Sequence, residues 1–85
     1  MNTDEILKEG LFDIINTQIK ANNPQETKLT FERLKGLGYC EEDVMQQIAQ
    51  CLTIEIYSVL KDEKRFNKVR YNRNLNYLPA QPIEE

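Results

Sequence analysis

The sequence predicts an all-α protein, a compact bundle of about four helices around a central α-hairpin. The main observation is the stretch 38–60, in which apolar residues recur with the period of an α-helix and fill one continuous face. Shorter segments before and after it show the same period, and turn-forming residues separate them. The 85 residues are 40% hydrophobic and 29% charged, which is typical of one small globular domain.

We predict a first helix over about residues 3–21, with Asn2 or Thr3 as its cap and acidic residues in its first turn. Its apolar residues form one wide face: Leu7, Leu11, Phe12, Ile14, Ile15 and Ile19. Gly10 interrupts the edge of this face, and a mid-helix glycine costs about 1 kcal/mol relative to alanine. We interpret Gly10 as the mark of a close contact with another helix.

The central hairpin is predicted from two helices joined by Gly36-Leu37-Gly38. The first of them spans about 24–35, because Asn23 can cap a helix that has Pro24 as its first residue. Gly36 and Gly38 end this helix, because a helix C-terminus commonly has a residue in the left-handed conformation and glycine adopts it readily. The second, over about 41–61, begins with three acidic residues that favour its positive end.

A fourth helix is predicted over about 66–77, ending before Pro79. Its apolar residues form two stripes. The first is Tyr71, Leu75 and Leu78, and the second is Phe66, Val69 and Tyr77. We expect the first to face the core, a single domain over residues 1–79, and a flexible tail over 80–85.

Glu55 is the chemically unusual residue, because it falls within the apolar face of the third helix, where an unpaired charge is costly. The favoured interpretation is a buried acid that pairs with Arg65, Arg70 or Arg33, or accepts a hydrogen bond from Tyr71. The alternative is a proton donor or acceptor in catalysis. The sequence contains no histidine to assist it, so we expect no enzyme, no catalytic residue and no cofactor.

The segment 61–79 has six basic residues against Asp62 and Glu63, although the whole chain has a net charge of −3. The basic residues are Lys61, Lys64, Arg65, Lys68, Arg70 and Arg73. They indicate either a solvated face that pairs with acids of the first and third helices, which is favoured, or a phosphate-binding surface with aromatic stacking. A helix-turn-helix over the central hairpin is disfavoured, because residues 41–43 would present carboxylates to DNA.

Metal binding is not expected, because Cys40 and Cys51 do not have the spacing of a zinc site. We expect inert thiols and a cytoplasmic location without membrane contact, since no apolar run is long enough to span a bilayer.

The favoured function is therefore a non-enzymatic protein–protein interaction or accessory module that binds another protein or itself, as a homodimer. Its expected surface is the outer side of the fourth helix with two apolar residues of the third. These residues are Ile54, Tyr57, Phe66, Val69, Arg73 and Tyr77. The alternative is a nucleic-acid-associated protein that uses the basic segment 61–77.

A series of short matches also runs through residues 23–79: Asn-Pro at 23–24, Arg-Leu at 33–34, Gly-Tyr at 38–39, Ile-Ala at 48–49, Glu-Ile-Tyr at 55–57, Val-Leu at 59–60, Phe66, Arg-Tyr at 70–71, Leu75 and Leu-Pro at 78–79. In this spacing the chain resembles a small bacterial all-helical family of unknown function. The resemblance implies a compact helical fold and no particular activity. The chain departs from the family in having Cys40 where a capping serine is usual, and a basic segment between Leu60 and Phe66.

Overall fold

The computed structural model describes residues 3–62 and 64–83. It contains helix α1 at Thr3–Ala21, α2 at Gln25–Gly36, α3 at Glu41–Asp62 and α4 at Lys68–Tyr77, with no strand in these ranges. The predicted all-α fold of four helices is confirmed. The cap proposed at Asn2, the acid at 63 and the last tail residues 84–85 lie outside the described residues.

Helix α3 is the centre of the bundle and packs against each of the other three helices, while α2 packs against α1 and α4. In the described part of the chain, the backbones of α1 and α4 do not pack together, so the α2–α3 hairpin lies between them. The buried core draws on all three later helices and on one residue of α1. It consists of Ile15, Leu34, Val44, Met45, Ile48, Ala49, Cys51, Leu52, Tyr71, Leu75 and Leu78.

The two ends of α2 show how local sequence sets the helix boundaries. Pro24 takes the cap position, so α2 begins at Gln25, one residue later than expected. At the other end the N–H of Gly38 donates to the Lys35 carbonyl and the N–H of Tyr39 to the Leu34 carbonyl. This is the Schellman arrangement, and Gly38 has the positive φ of 105° that it requires.

Helix α4 begins at Lys68, two residues later than expected, because the side chain of Asn67 accepts the Arg70 N–H at 3.0 Å and caps the helix. Its C-terminal end is bound by α2. The Arg33 guanidinium donates to the carbonyls of Leu78 and Leu75 at 2.6 and 2.9 Å. A cation at this end also complements the helix dipole.

The segment 80–83 differs from the expected flexible tail. The fully buried side chain of Asn74 donates to the Ile83 carbonyl at 2.9 Å and accepts the Ile83 N–H at 3.0 Å. These two bonds reproduce the pairing that a neighbouring β-strand would offer. Asn74 therefore attaches the C-terminal segment to α4, and Arg73 Nη2 adds a hydrogen bond to the same carbonyl at 3.3 Å.

Candidate functional site

The structure places Glu55 at the junction of α3 and α4, with none of its surface exposed. Its two carboxylate oxygens accept hydrogen bonds from Arg70 Nε at 2.6 Å, Arg70 Nη2 at 3.0 Å and the Asn67 N–H at 2.9 Å. Asn67 also caps α4 through Arg70, so the three residues form a closed network. The network fixes the start of α4 on the middle of α3.

Of the four candidate partners of Glu55, the structure selects Arg70. Arg65 lies in the connector with its side chain exposed, and Arg33 is bound to the C-terminal end of α4. The Tyr71 hydroxyl donates instead to Gln18 Oε1 of α1 at 2.8 Å. Tyr71 and Arg70 are adjacent in sequence and point about 100° apart on the helix, with Arg70 directed to Glu55 and the Tyr71 hydroxyl to α1.

Glu55 is not placed for acid–base chemistry. A catalytic carboxylate must reach a substrate, whereas Glu55 is completely enclosed and both of its oxygens are bound. Two nearby titratable groups are also held in their neutral forms. Burial raises the pKa of the Cys51 thiol to about 12, and burial likewise raises the pKa of the Tyr71 hydroxyl to about 12.

The basic segment does not form one continuous patch. Arg70 is committed to Glu55, and Arg73 donates to the Ile83 carbonyl at 3.3 Å. Lys61 lies over the Tyr57 ring, with its ammonium 5.2 Å from the ring centroid. Lys61, Lys64, Arg65 and Lys68 are exposed. The exposed cationic surface therefore has four of the six basic residues.

The expected interaction surface is also divided. Ile54 is half-buried and lines a shallow depression together with Gln81 and Pro82 of the C-terminal segment. Phe66 packs edge-on against Tyr71, with ring centroids 5.2 Å apart. Val69, Tyr77 and Tyr57 are exposed, at 80%, 46% and 58%.

A second apolar surface lies between α1 and the C-terminal half of α3. It is a groove of about 440 Å³. Its lining is almost wholly apolar and consists of Leu7, Gly10, Leu11, Ile14, Thr53, Ile56, Tyr57 and Leu60. We call it the α1–α3 groove. Leu7, Ile14 and Leu60 in this groove are exposed by 59%, 42% and 78%.

Sequence reasoning missed this groove because it assigned those three residues to the apolar core faces of α1 and α3. The helical period shows which side of a helix is apolar, but it does not show how much of that side a neighbour covers. Neighbouring elements cover the C-terminal end of α3 only in part, since Val59 there is also 39% exposed. The signal that could have indicated the groove is Gly10, which lies on its wall.

The described residues do not meet the requirements of a metal site, a disulfide or a membrane-spanning helix. They contain no cluster of three or more histidine, cysteine or acidic side chains that could hold a metal ion. Cys40 is exposed and Cys51 is buried, and both are free thiols. None of the described helices is long and apolar enough to cross a membrane.

Comparison of the chain with protein-family models, with curated proteins and with solved structures gives no match. Any functional conclusion therefore depends on the surfaces described above.

Proposed function

We propose that this protein is a non-enzymatic protein–protein interaction module, and that its binding surface is the α1–α3 groove. The observation that carries the proposal is the exposure of Leu7, Ile14, Tyr57 and Leu60 along one depression between two packed helices. Single exposed apolar residues are ordinary on protein surfaces, whereas a contiguous group of large ones indicates a binding site.

The exposed areas indicate how strong such an interaction would be. The exposed parts of Leu7, Ile14, Tyr57 and Leu60 amount to between two and three whole side chains. Burying them would contribute roughly 4 to 7 kcal/mol, at about 1.5–3 kcal/mol for each whole side chain. Association also costs translational and rotational freedom. The groove alone therefore supports a transient contact, and a tight complex would require polar contacts around it.

The outer side of α4 is a weaker candidate for the binding surface. Phe66 and Arg73 already contact Tyr71 and Ile83 within the chain, and Ile54 is half-buried. Nucleic-acid binding by the segment 61–77 is the alternative function. Its support is limited to the exposed cations near Phe66, since Arg70 is bound to a buried acid.

We also propose that the protein works in the cytoplasm, by itself or with a protein partner. Two free cysteines support a reducing compartment. The resemblance to a small bacterial family supports a bacterial setting.

The test compares three tagged proteins for association in cell extract at moderate salt: the natural chain, Tyr57→Ser with Leu60→Ser, and Val69→Ser. Val69 is the matched control, because it is 80% exposed but lies outside the groove. We expect the natural chain and the control to retain the same stoichiometric protein partner, and the groove variant to lose it while keeping its helical circular dichroism.

Equal retention by all three proteins would refute the groove as the binding surface. Loss of the partner with Val69→Ser alone would favour the outer side of α4. Recovery of nucleic acid that dissociates steeply with added salt would favour the alternative function.

A further inference from the structure

The C-terminal segment 80–83 is held on α4 in the way that a receptor holds a bound peptide. Its attachment depends on the main chain of Ile83, whose N–H donates to Asn74 Oδ1 at 3.0 Å and whose carbonyl accepts from Asn74 Nδ2 at 2.9 Å. Arg73 Nη2 donates to the same carbonyl at 3.3 Å. The Ile83 side chain, in contrast, remains 45% exposed. Because every residue except proline carries an N–H and a carbonyl, these contacts recognise an extended main chain rather than a particular side chain.

Asn74 is built to make this contact. Its side chain has none of its surface exposed, and a buried amide is costly unless its donor and its acceptor are both bound. An asparagine amide presents a donor and an acceptor side by side, which matches the carbonyl and the N–H of one residue in an extended chain. Asn74 is therefore a preformed site for one residue of an extended peptide, and Ile83 occupies it.

The C-terminal segment fills only part of the surface beside it. Two depressions, of about 290 and 320 Å³, are lined jointly by Gln50 of α3 and Gln81 of the segment. Ile54 and Pro82 also line the first depression, and Tyr39 lines the second. Both depressions have room for side chains larger than those of the segment. The amide and hydroxyl groups in their walls suit polar side chains that form hydrogen bonds.

We propose that Asn74 is a docking site for an extended segment of another protein, and that the C-terminal segment occupies this site as an internal competitor. The ligand has a proline immediately before the residue that pairs with Asn74, as Pro82 precedes Ile83. Proline suits this position because it has no N–H to satisfy and keeps the residue before it extended. Large polar side chains at the positions of Pro79 and Gln81 fill the two depressions. The C-terminal segment is then an autoinhibitory contact, which the partner displaces.

This inference goes beyond the proposed function, because Asn74 and Ile83 do not line the α1–α3 groove. Thr53 lines both the groove and the first depression, so one partner can reach both surfaces. The two claims are nevertheless tested separately, since the variants below leave Tyr57 and Leu60 unchanged.

The test measures the binding of a peptide to the full chain. The peptide has the sequence of residues 79–83 with both ends blocked, and its dissociation constant is obtained from an NMR titration of the Asn74 side-chain amide. In the natural chain the tethered segment competes with the peptide at a high effective concentration. Ile83→Pro removes the N–H that Asn74 accepts. The segment should then detach, and the peptide should bind about tenfold more tightly, as expected for the loss of one or two hydrogen bonds by the competitor.

Ile83→Ala is the matched control, because it shortens the half-exposed side chain and keeps the main-chain N–H. It should leave the dissociation constant within about threefold of the value for the natural chain. A second peptide carries a methyl group on the isoleucine nitrogen, so that it keeps the side chain but has no N–H there. It should not bind Ile83→Pro. All the chains should have the same helical circular dichroism.

Failure of the peptide to bind Ile83→Pro more tightly than the natural chain would overturn the proposal, and so would equal binding of the methylated peptide. An Ile83→Ala chain that behaves like Ile83→Pro would show that the side chain holds the segment, which contradicts main-chain recognition. A doubled mass of the natural chain in sedimentation that Ile83→Pro abolishes would show exchange of the segment between two copies, and would overturn the assignment of the site to another protein.

Discussion

Replacing Glu55 with glutamine tests the junction between α3 and α4 most directly. Glu55 is fully buried and accepts three hydrogen bonds, two from Arg70 and one from the Asn67 N–H. Glutamine has nearly the same shape but no charge, and its amide group would present donors to a guanidinium that is itself only a donor. The variant thus leaves the Arg70 charge without a counterion.

The size of the effect follows from burial. Removing one member of a fully buried ion pair typically costs about 3–5 kcal/mol. The lower end applies here, because glutamine keeps one acceptor oxygen and the Arg70 side chain retains 15% exposure to water. A loss of about 3 kcal/mol corresponds to a fall in melting temperature of roughly 12–24 °C for a domain of this size.

The assay is thermal unfolding followed by circular dichroism at neutral pH. Glu32→Gln is the matched control, because it makes the same change on an exposed side of α2 and should shift the free energy of unfolding by less than about 0.5 kcal/mol. Glu55→Met combined with Arg70→Met should recover much of the loss, since no buried charge remains. A Glu55→Gln variant that melts within a few degrees of the natural chain would refute the role given to this network.

Two further predictions concern the C-terminal segment and the response to alkali. Asn74→Ala should release the segment 80–83, so that the Ile83 amide exchanges with solvent at the rate of an unprotected peptide; continued protection in the variant would contradict the attachment described here. The raised pKa values of Tyr71 and Cys51, both about 12, mean that the folded chain keeps protons that the unfolded chain releases from about pH 9–10 upward. The free energy of unfolding should therefore have its full value below that range and decrease as the pH rises toward about 12. The decrease should be about 2–3 kcal/mol for Tyr71 alone. Thermal unfolding measured between about pH 8 and about pH 12 should show a weaker decline for Tyr71→Phe than for the natural chain.

The helices could be predicted from the sequence because their signals are local. Apolar period, proline and glycine placed three of the four starts within one residue of the observed positions. The predicted start of the fourth helix was wrong by two residues. Asn67 and Phe66 are both compatible with a helix start, and only the hydrogen bond from the Arg70 N–H decides between them. The attachment of Ile83 to Asn74 could not be predicted from the sequence, because nothing about an asparagine within a helix indicates a backbone partner nine residues later.

The candidate site was less predictable, because it depends on tertiary packing. The helical period did place Glu55 on the inner side of α3, but it could not choose among three arginines and a tyrosine. The exposure of Leu7, Ile14 and Leu60 depends on how much of α3 is covered by α1. No local sequence pattern determines the extent of this coverage. Gly10 predicts a close contact with another helix, whereas the structure leaves the surroundings of Gly10 open.

The single side-chain oxygen of Gln18 has a consequence for how the bundle unfolds. Gln18 Oε1 accepts the hydroxyl of Thr27 in α2 and the hydroxyl of Tyr71 in α4, each at 2.8 Å. Both donors are fully buried, so detaching α1 would leave two hydroxyls without an acceptor in two other helices at once. Helices α1 and α4 therefore share a polar contact although their backbones do not meet, and we expect opening of α1 at this point to loosen α4.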